Sequence, residues 1–427
     1  MTTPIATSQT ILVVGGGISG MTAALEAAEC GKQVILLEKS PTLGGRTSLL
    51  YRYFPKLCHP VCGLEINLRR LKGNRNVRVI TMAEVTRISG TRGNYTVAAK
   101  VSPRYINENC TACGECARAV SAEIPNPYNY GLDQMKVAYL PHDMAYPLRY
   151  VLDPSAIGTE EAGKAQAACK YSAVDPGMQE EALELTVGAV IWATGWQPYD
   201  AAKIQPYGYD RFPNVITSLE FERLCDPHGP TGGRILRSSD GKEAKNIAFI
   251  QCAGSRDENH LRHCSRICCM ASLKQTQYVR DVYGEDGKST IYYIDIRAID
   301  RFEDFYQKVR KDPTVSFIKS KVARIAQESK SGDLILHGVD TEGYHRYANT
   351  HDLVVLAVGM APSVHGADIP AEIVADSSGF LEPGSGIFGA GCASGPLDVN
   401  RSVQHATAAA LRAIQVINQN SNAEPAP

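Results

Sequence analysis

Eight of this chain's thirteen cysteines stand in two groups whose spacing suits metal or redox chemistry. The stretch NIAFIQCAGSRDENHLRHCSRICCMASLKQTQ carries Cys252, then Cys264 after eleven residues, Cys268 after three more, and Cys269 beside it. Four thiolates are the ligand set of a 4Fe-4S cluster. A four-thiolate zinc site is the competing reading, although adjacent cysteines are unusual in zinc ribbons. Four buried, inert cysteines would be the plainest explanation. An apolar run at residues 247–250 leads into a turn at Ala253-Gly254-Ser255, and a helix is expected from about Ser265. Cys264 and Cys268 would then share a helical face, with Cys269 one step round it. A nearby helix N-terminus would favour thiolate over thiol, and Arg256, Arg262 and Arg266 would offset an anionic cluster.

The second group is Cys110-x2-Cys113-x2-Cys116. Bacterial ferredoxins continue this run with x3-Cys-Pro, and that fourth cysteine serves their other cluster. Here Val120 takes the place, so the fourth ligand must come from downstream, where Cys169 stands in KAQAACKYSAVDPG. One cluster held by Cys110, Cys113, Cys116 and Cys169 is expected.

A third pair, Cys58-x3-Cys62, follows soon after the glycine-rich start. It reads as a redox dithiol, as alternate cluster ligands, or as inert packing; Pro60 disfavours one regular helix across it. Cys30 and Cys225 read as packing residues. Asp295 reads as a solvent-facing carboxylate at a strand end, and His59, His263 and His405 have no partner nameable from the sequence.

These residues need a scaffold. Residues 11–40 form a complete βαβ pattern: a strand at 11–14, Gly15, Gly17 and Gly20 in GxGxxG, a helix at 21–30, and a strand at 34–37 closed by Glu38 and Lys39. Such glycines allow a tight turn and close approach of a pyrophosphate to a helix N-terminus, while the acid accepts the ribose hydroxyls. Gly44-Gly45-Arg46 offers a second backbone approach with a cation beside the diphosphate. Together these resemble two-dinucleotide-domain flavoproteins of the thioredoxin-reductase and glutathione-reductase type. Ala193-Thr194-Gly195 and Ala357-Val358-Gly359 resemble their strand-to-turn segments, and GIFGAGCASGPLDVNRSVQHATAAALRAI resembles their last flavin-binding stretch, with Gly391-Cys392 where Gly-Asp is usual. The resemblance implies FAD. It also implies a second βαβ unit for a nicotinamide coenzyme. That unit lies at the Cys252 stretch, but no GxGxxG aligns there, so nicotinamide is not expected.

The expected architecture is an α/β two-dinucleotide-binding-domain flavoprotein, thioredoxin-reductase-like, with an inserted ferredoxin-like module. The boundaries are 1–101, 181–240 and 351–427 for the flavin domain, 102–180 for the insertion, and 241–350 for a degenerate second nucleotide-binding-like domain. A net charge of −1 argues against nucleic acid or an anionic membrane as partner. No apolar run approaches the ~18 residues of a membrane span. The absence of a signal-like start makes a cytoplasmic setting the expectation.

The combination resembles the A-type subunit of heterodisulfide reductase, with QCAGSR…CSRICCM and GAGCASGPLDV as the most specific segments. The compact chain and single insertion motif further resemble the short homologue in the heterodisulfide-reductase-like complex of sulfur-oxidising bacteria. That resemblance implies FAD, two 4Fe-4S clusters, partner subunits, a homodimer, involvement of a lipoate-binding protein, and oxidation of sulfane sulfur. The rival readings are a stand-alone NAD(P)H-dependent thiol or disulfide reductase, which needs a working Cys58/Cys62 pair, and a zinc-stabilised flavin scaffold without turnover.

Overall fold

A computed structural model describes residues 6–54, 57–299, 301–364 and 373–423. Two parallel five-stranded sheets organise it. The first runs, in spatial order, Ile387–Gly389, Ala189–Trp192, Thr10–Val14, Gln33–Glu38 and Val77–Thr81. In chain order that is a doubly wound sheet whose direction reverses beside Thr10–Val14, the usual place for a dinucleotide. Its three inner strands are apolar on both faces because both are covered. On one side, helix Ile18–Glu29 presents Gly20, Ala23, Ala24 and Ala27, and helix Val399–Ala423 meets it with Ala406, Ala409 and Ala413, all buried. Small residues let these two helices approach closely. On the other side lies the antiparallel layer Glu181–Val187, Asn94–Val101, Ala83–Thr91.

The second sheet runs Val215–Thr217, Leu353–Val358, Asn246–Ala253, Lys288–Tyr293 and Val315–Lys319. Its membership moves two boundaries. The likeness of Ala357-Val358-Gly359 to a flavin-side turn puts Leu353–Val358 in the flavin domain, and the expected limits put Val215–Thr217 there too. Leu353–Val358 is instead fully buried between two strands of the second sheet, one of them Val215–Thr217. A strand leaving either sheet for the linker has the same apolar-run-then-glycine pattern. The linker itself is the antiparallel pair Trp196–Pro198 and Met360–Pro362.

The insertion has its own small core, including Ile106, Val120, Leu152, Ala165 and Val174. Two short ladders, Glu123–Pro125 with Gln134–Lys136 and Ala138–Tyr139 with Val151–Leu152, brace it. Arg104 docks it on the first sheet by donating to Thr81 Oγ1 at 2.9 Å and to the Pro41 carbonyl. Desolvation lowers the Arg104 pKa to about 10.

Among the described residues no helix is long and apolar enough to cross a membrane.

Candidate functional site

A cavity of about 1120 Å³ opens at the carboxyl ends of the first sheet and reaches the second. Gly15 and Gly17 form part of its wall. Gly15 has φ +104°, and a Cβ there would meet the Ala193 carbonyl oxygen at 2.5 Å. Gly20 lies behind that turn, where a Cβ would stand 1.7 Å from the Gly15 oxygen. Backbone must pass backbone at both places, which only glycine allows. Glu38 lines the cavity, with Oε2 accepting from the Gly16 amide at 2.5 Å and Oε1 from the Ser40 amide at 2.7 Å. The carboxylate is therefore held against the glycine loop by two amides and keeps lone pairs for a ribose. Lys39 also lines the cavity, paired with Glu84 at 2.7 Å. Gly44 donates to the Gly16 carbonyl at 2.9 Å, and Gly45 lies against Gly17.

Arg46 does not stand free beside the diphosphate position, as its place in the sequence suggests. Its Nε donates to the Trp196 carbonyl at 2.8 Å, and a terminal nitrogen bonds Gln197. A guanidinium finds a carbonyl, an amide and an indole face together here, so it clamps the linker to the cavity rim. Ala193, Thr194 and Gly195 line the same wall, with Thr194 Oγ1 at 2.6 Å from Ser363 Oγ. Cys392 lines the far end, its buried thiol 3.3 Å from the Leu397 carbonyl. Burial raises the Cys392 pKa. Gly391, at φ +61°, donates to His405 Nδ1 at 3.1 Å. Trp192 is 7% exposed, lines the cavity, and leaves its Nε1–H without a hydrogen-bond partner. That orphan donor, the glycine cradle and the carboxylate together fit a dinucleotide.

The insertion brings its four cysteines together around one small pocket. The Asn107 amide donates to the Ala173 carbonyl at 2.8 Å and the Asp175 amide to the Tyr105 carbonyl at 2.9 Å. This pairing carries Cys169 to the Cys110 loop across about sixty residues of chain. The Ala112 amide points at Cys110 Sγ at 3.4 Å and the Ala173 amide at Cys169 Sγ at 3.3 Å. Desolvation pushes Cys169 up, yet the amides of Ala173, Tyr171, Val174 and Ser172 outweigh it and lower its pKa. Burial pushes Cys116 up to about 11.

The other quartet gathers at the carboxyl ends of the second sheet, with Cys268 Sγ 3.9 Å from the Val358 carbonyl and Cys269 Sγ 3.7 Å from the Asp295 carbonyl. Cys252 is the penultimate residue of its strand, at φ +55° where the register shifts. The helix starts at Cys268 rather than near Ser265, so Cys264 lies in the loop and does not share a helical face with Cys268. Arg266 prevents an earlier start, because its backbone is left-handed at φ +63°; beside it the Ser265 hydroxyl, 2.5 Å from Ser255 Oγ, accepts from the Met360 amide at 2.7 Å. The Arg266 amide donates to Cys264 Sγ at 3.4 Å. Cys268 is close enough to Cys252, Cys269 and Cys264 to feel the charge of each. Burial first, and those charges next, raise its pKa, and burial takes Cys269 to about 11. Desolvation thus outweighs the helix N-terminus, contrary to the thiolate expectation for the bare protein. Among the described residues no three His, Cys, Asp or Glu side chains converge tightly enough to hold a single metal ion.

The arginines take specific partners. Arg256 pairs with Asp295, which also meets Arg297 at 3.5 Å; the carboxylate stays 45% exposed just past its strand, as expected, but stands in ion pairs. Arg262 is exposed. Cys268 and Arg266 line the dinucleotide cavity itself.

A family model described as FAD dependent oxidoreductase matches residues 10–87. The chain is 38% identical over 419 residues to the second iron-sulfur A-type subunit of CoB–CoM heterodisulfide reductase from Methanopyrus kandleri, covering 94% of this chain and 63% of that one. It is 35% identical over 438 residues to the A-type subunit of the H2:CoB-CoM heterodisulfide, ferredoxin reductase of Methanothermobacter marburgensis, covering 97% and 65%. The chain belongs to the family of heterodisulfide reductase A-type subunits. It spans less than two thirds of the length of these relatives. Thioredoxin reductases share the fold. That of Lactococcus lactis superposes with TM-score 0.53 at 14% identity, covering 96% of this chain and 99% of its own. That of T. acidophilum gives 0.52 at 13%, covering 97% and 100%.

Several features of this heterodisulfide reductase-family chain were not legible in its sequence. Cys58 lies in a loop bridged to Tyr53, and Cys62 lies in the first turn of helix Val61–Gly73 after Pro60. Neither lines the cavity, whereas Tyr53 beside them does. Cys225 is buried, but Cys30 is exposed at a helix end rather than packed. The histidines have partners: His59 with Asp226 at 3.4 Å, and His263 with the Met360 carbonyl at 2.8 Å. A buried Lys274–Glu222 pair at 2.9 Å also reaches the cavity. Its sole sequence signal was two charges in otherwise core-like helices.

Proposed function

We propose that this chain is an FAD- and iron–sulfur-containing oxidoreductase that serves as the electron-transfer component of a heterodisulfide-reductase-like complex. One observation carries the reading: Cys268 forms part of the wall of the same cavity as the glycine turn at Gly15 and Gly17. An iron–sulfur group on Cys252, Cys264, Cys268 and Cys269 would therefore border the flavin.

Bound FAD supplies interchange between electron pairs and single electrons. The chain's own residues do the rest. Gly15, Gly17 and Glu38 hold the nucleotide end, while Trp192 and Trp196 wall its sides. The cysteine quartets supply thiolate ligands, and the amides at Ala112, Ala173 and Arg266 donate to sulfur, which tunes an iron–sulfur potential upward. Zinc would draw its thiolates to about 2.3 Å from one ion; a cluster, with four irons and four sulfides between them, leaves its cysteines more widely spaced. The adjacency of Cys268 and Cys269, unusual in a zinc ribbon, favours the cluster at that quartet. The insertion thus acts as a ferredoxin-like module on Cys110, Cys113, Cys116 and Cys169. The loop at residues 254–267 is filled by side chains where a second dinucleotide would need bare backbone, which argues against NAD(P)H as direct donor.

The setting we assign is a cytoplasmic homodimer that passes electrons from sulfane-sulfur oxidation to partner subunits, with a lipoate-binding protein as sulfur carrier. Family membership supports the partner subunits, and the sequence resemblance to the short homologue supports the rest of this setting. Quantifying flavin, iron and sulfide per chain after anaerobic purification tests the cofactors. One FAD with about eight irons and eight sulfides is expected for two 4Fe-4S clusters. Zinc without sulfide, or flavin bleaching by NADPH alone, overturns the reading.

A further inference from the structure

Arg266 sits between the two redox sites and holds each with a different part of itself. Its backbone is left-handed, at φ +63°, which turns its amide onto Cys264 Sγ at 3.4 Å. A non-glycine residue in that region is uncommon and is maintained by its surroundings. Arg266 lines the cavity, and its Nε donates to Asp398 Oδ2 at 3.1 Å. Asp398 is the N-cap of the long last helix: its Oδ1 accepts from the Arg401 amide at 2.9 Å, and its carbonyl from the Ser402 amide at 2.8 Å. Ser402 in turn stands 3.6 Å from Cys392 Sγ on the cavity wall. Arg266 and Asp398 are each 27% exposed and both line the cavity.

We infer that Arg266 and Asp398 are positioning residues that fix the second cysteine quartet against the flavin end of the cavity and set the flavin's potential as a charge pair. The inference rests on the reading above, that FAD and a cluster occupy these sites. The pair spans 132 residues of sequence and joins the cluster loop of the second sheet to the flavin helix of the first. Reduced flavin carries more negative charge than oxidised flavin, so a cation at the wall stabilises it and an anion opposes it. As a pair the two charges nearly cancel. Separated, they act with opposite sign.

The test is a set of variants in the full chain, R266Q, R266K, D398N and the double R266Q/D398N, with flavin and iron content measured first. R266Q leaves Asp398 uncompensated and lowers the flavin midpoint potential. D398N leaves Arg266 uncompensated and raises it. Each shift is expected to be at least the ~30 mV that a tenfold change in relative affinity produces for a two-electron couple. The double variant lies between, and R266K stays near the parent. The low-temperature EPR spectrum of the reduced cluster changes in R266Q and is restored in R266K. Unchanged potentials in both single variants with full cofactor content, or shifts of the same sign, overturn the inference. Should R266Q fail to load flavin, the upward shift in D398N and the null shift in R266K still decide it. A parent protein without flavin or iron would instead sink the functional reading on which the pair depends.

Discussion

Cys268, the first residue of its helix, places its sulfur 3.9 Å from the carbonyl of Val358, the last residue of the second sheet's buried strand. That contact puts a cysteine at the crevice between Asn246–Ala253 and Leu353–Val358. In doubly wound sheets this crevice is where a coenzyme would lie. The first sheet keeps a glycine turn at its own crevice. The two halves of the molecule thus place different chemistry at the same topological position, facing one shared cavity.

The two quartets are built separately, so they should fail separately. The double substitution of Cys268 and Cys269 by serine should remove about half the iron and leave flavin and the other half in place. Substituting Cys116 by serine should remove the complementary half. Iron and sulfide analysis beside the flavin absorbance reads both. Full iron in either variant contradicts the ligand assignment.

Gly20→Ala should empty the flavin site. The new methyl would stand 1.7 Å from the Gly15 oxygen, so the turn must move. A displacement of ~1 Å in a preorganised site is expected to lower FAD per chain about tenfold or more. Gly31→Ala is the control. It has φ +80° but nothing within 4 Å. That variant should lose about 1 kcal/mol of stability through backbone strain and retain FAD. Equal flavin content in the two variants would show that the close approach at Gly20 is not needed.

How much was readable in advance follows from range. The turn at Gly15, Gly17 and Gly20 is local, so its glycines and Glu38 could be read directly. The cysteine triplet is equally local, and even Cys169 could be matched to it by the logic of a missing ligand. The edges of the second sheet could not be read. Val215–Thr217 has three residues and gains its strand only by pairing with Leu353–Val358, more than a hundred residues away. The helix expected from Ser265 begins late because Arg266 is left-handed, beside a Ser265 hydroxyl held by the distant Met360 amide. Arg266 reads as generic positive charge until the fold sets Asp398 beside it.

His351 should make stability fall as the solution is acidified. It is 3% exposed, donates from Nδ1 to Asn246 Oδ1 at 3.0 Å and accepts at Nε2 from Tyr292 at 2.9 Å. Desolvation lowers its pKa from 6.5 to about 4. The folded state therefore stays neutral while the unfolded chain binds a proton as the pH drops below 6.5. The stability contributed by the neutral ring is complete above that value, declines as pH falls, and is lost by about 4. By linkage this group alone should cost about 2 kcal/mol between pH 7 and pH 5. His351→Gln should be less stable at pH 7 and lack that part of the slope. Urea midpoints at the two pH values, taken for parent and variant, give the difference; parallel slopes would assign the acid sensitivity elsewhere.

Trp192 should report flavin binding directly. It and Trp196 are the two tryptophans of the chain, and both line the cavity. FAD added to the flavin-free protein should therefore quench nearly all the indole emission. The Nε1–H of Trp192 has no partner among the described residues. A buried donor left unpaired is costly, and pairing it with the nucleotide relieves that cost. Trp192→Phe keeps an aromatic wall and removes the donor. The loss of one neutral hydrogen bond, about 0.5–1.5 kcal/mol, should weaken FAD binding roughly two- to tenfold. Trp196→Phe should leave the affinity nearly unchanged, because Trp196 contributes its ring face to Arg46. Fluorescence titration of both variants separates the roles. An unaltered dissociation constant in Trp192→Phe would mean that the indole N–H points past the flavin rather than to it.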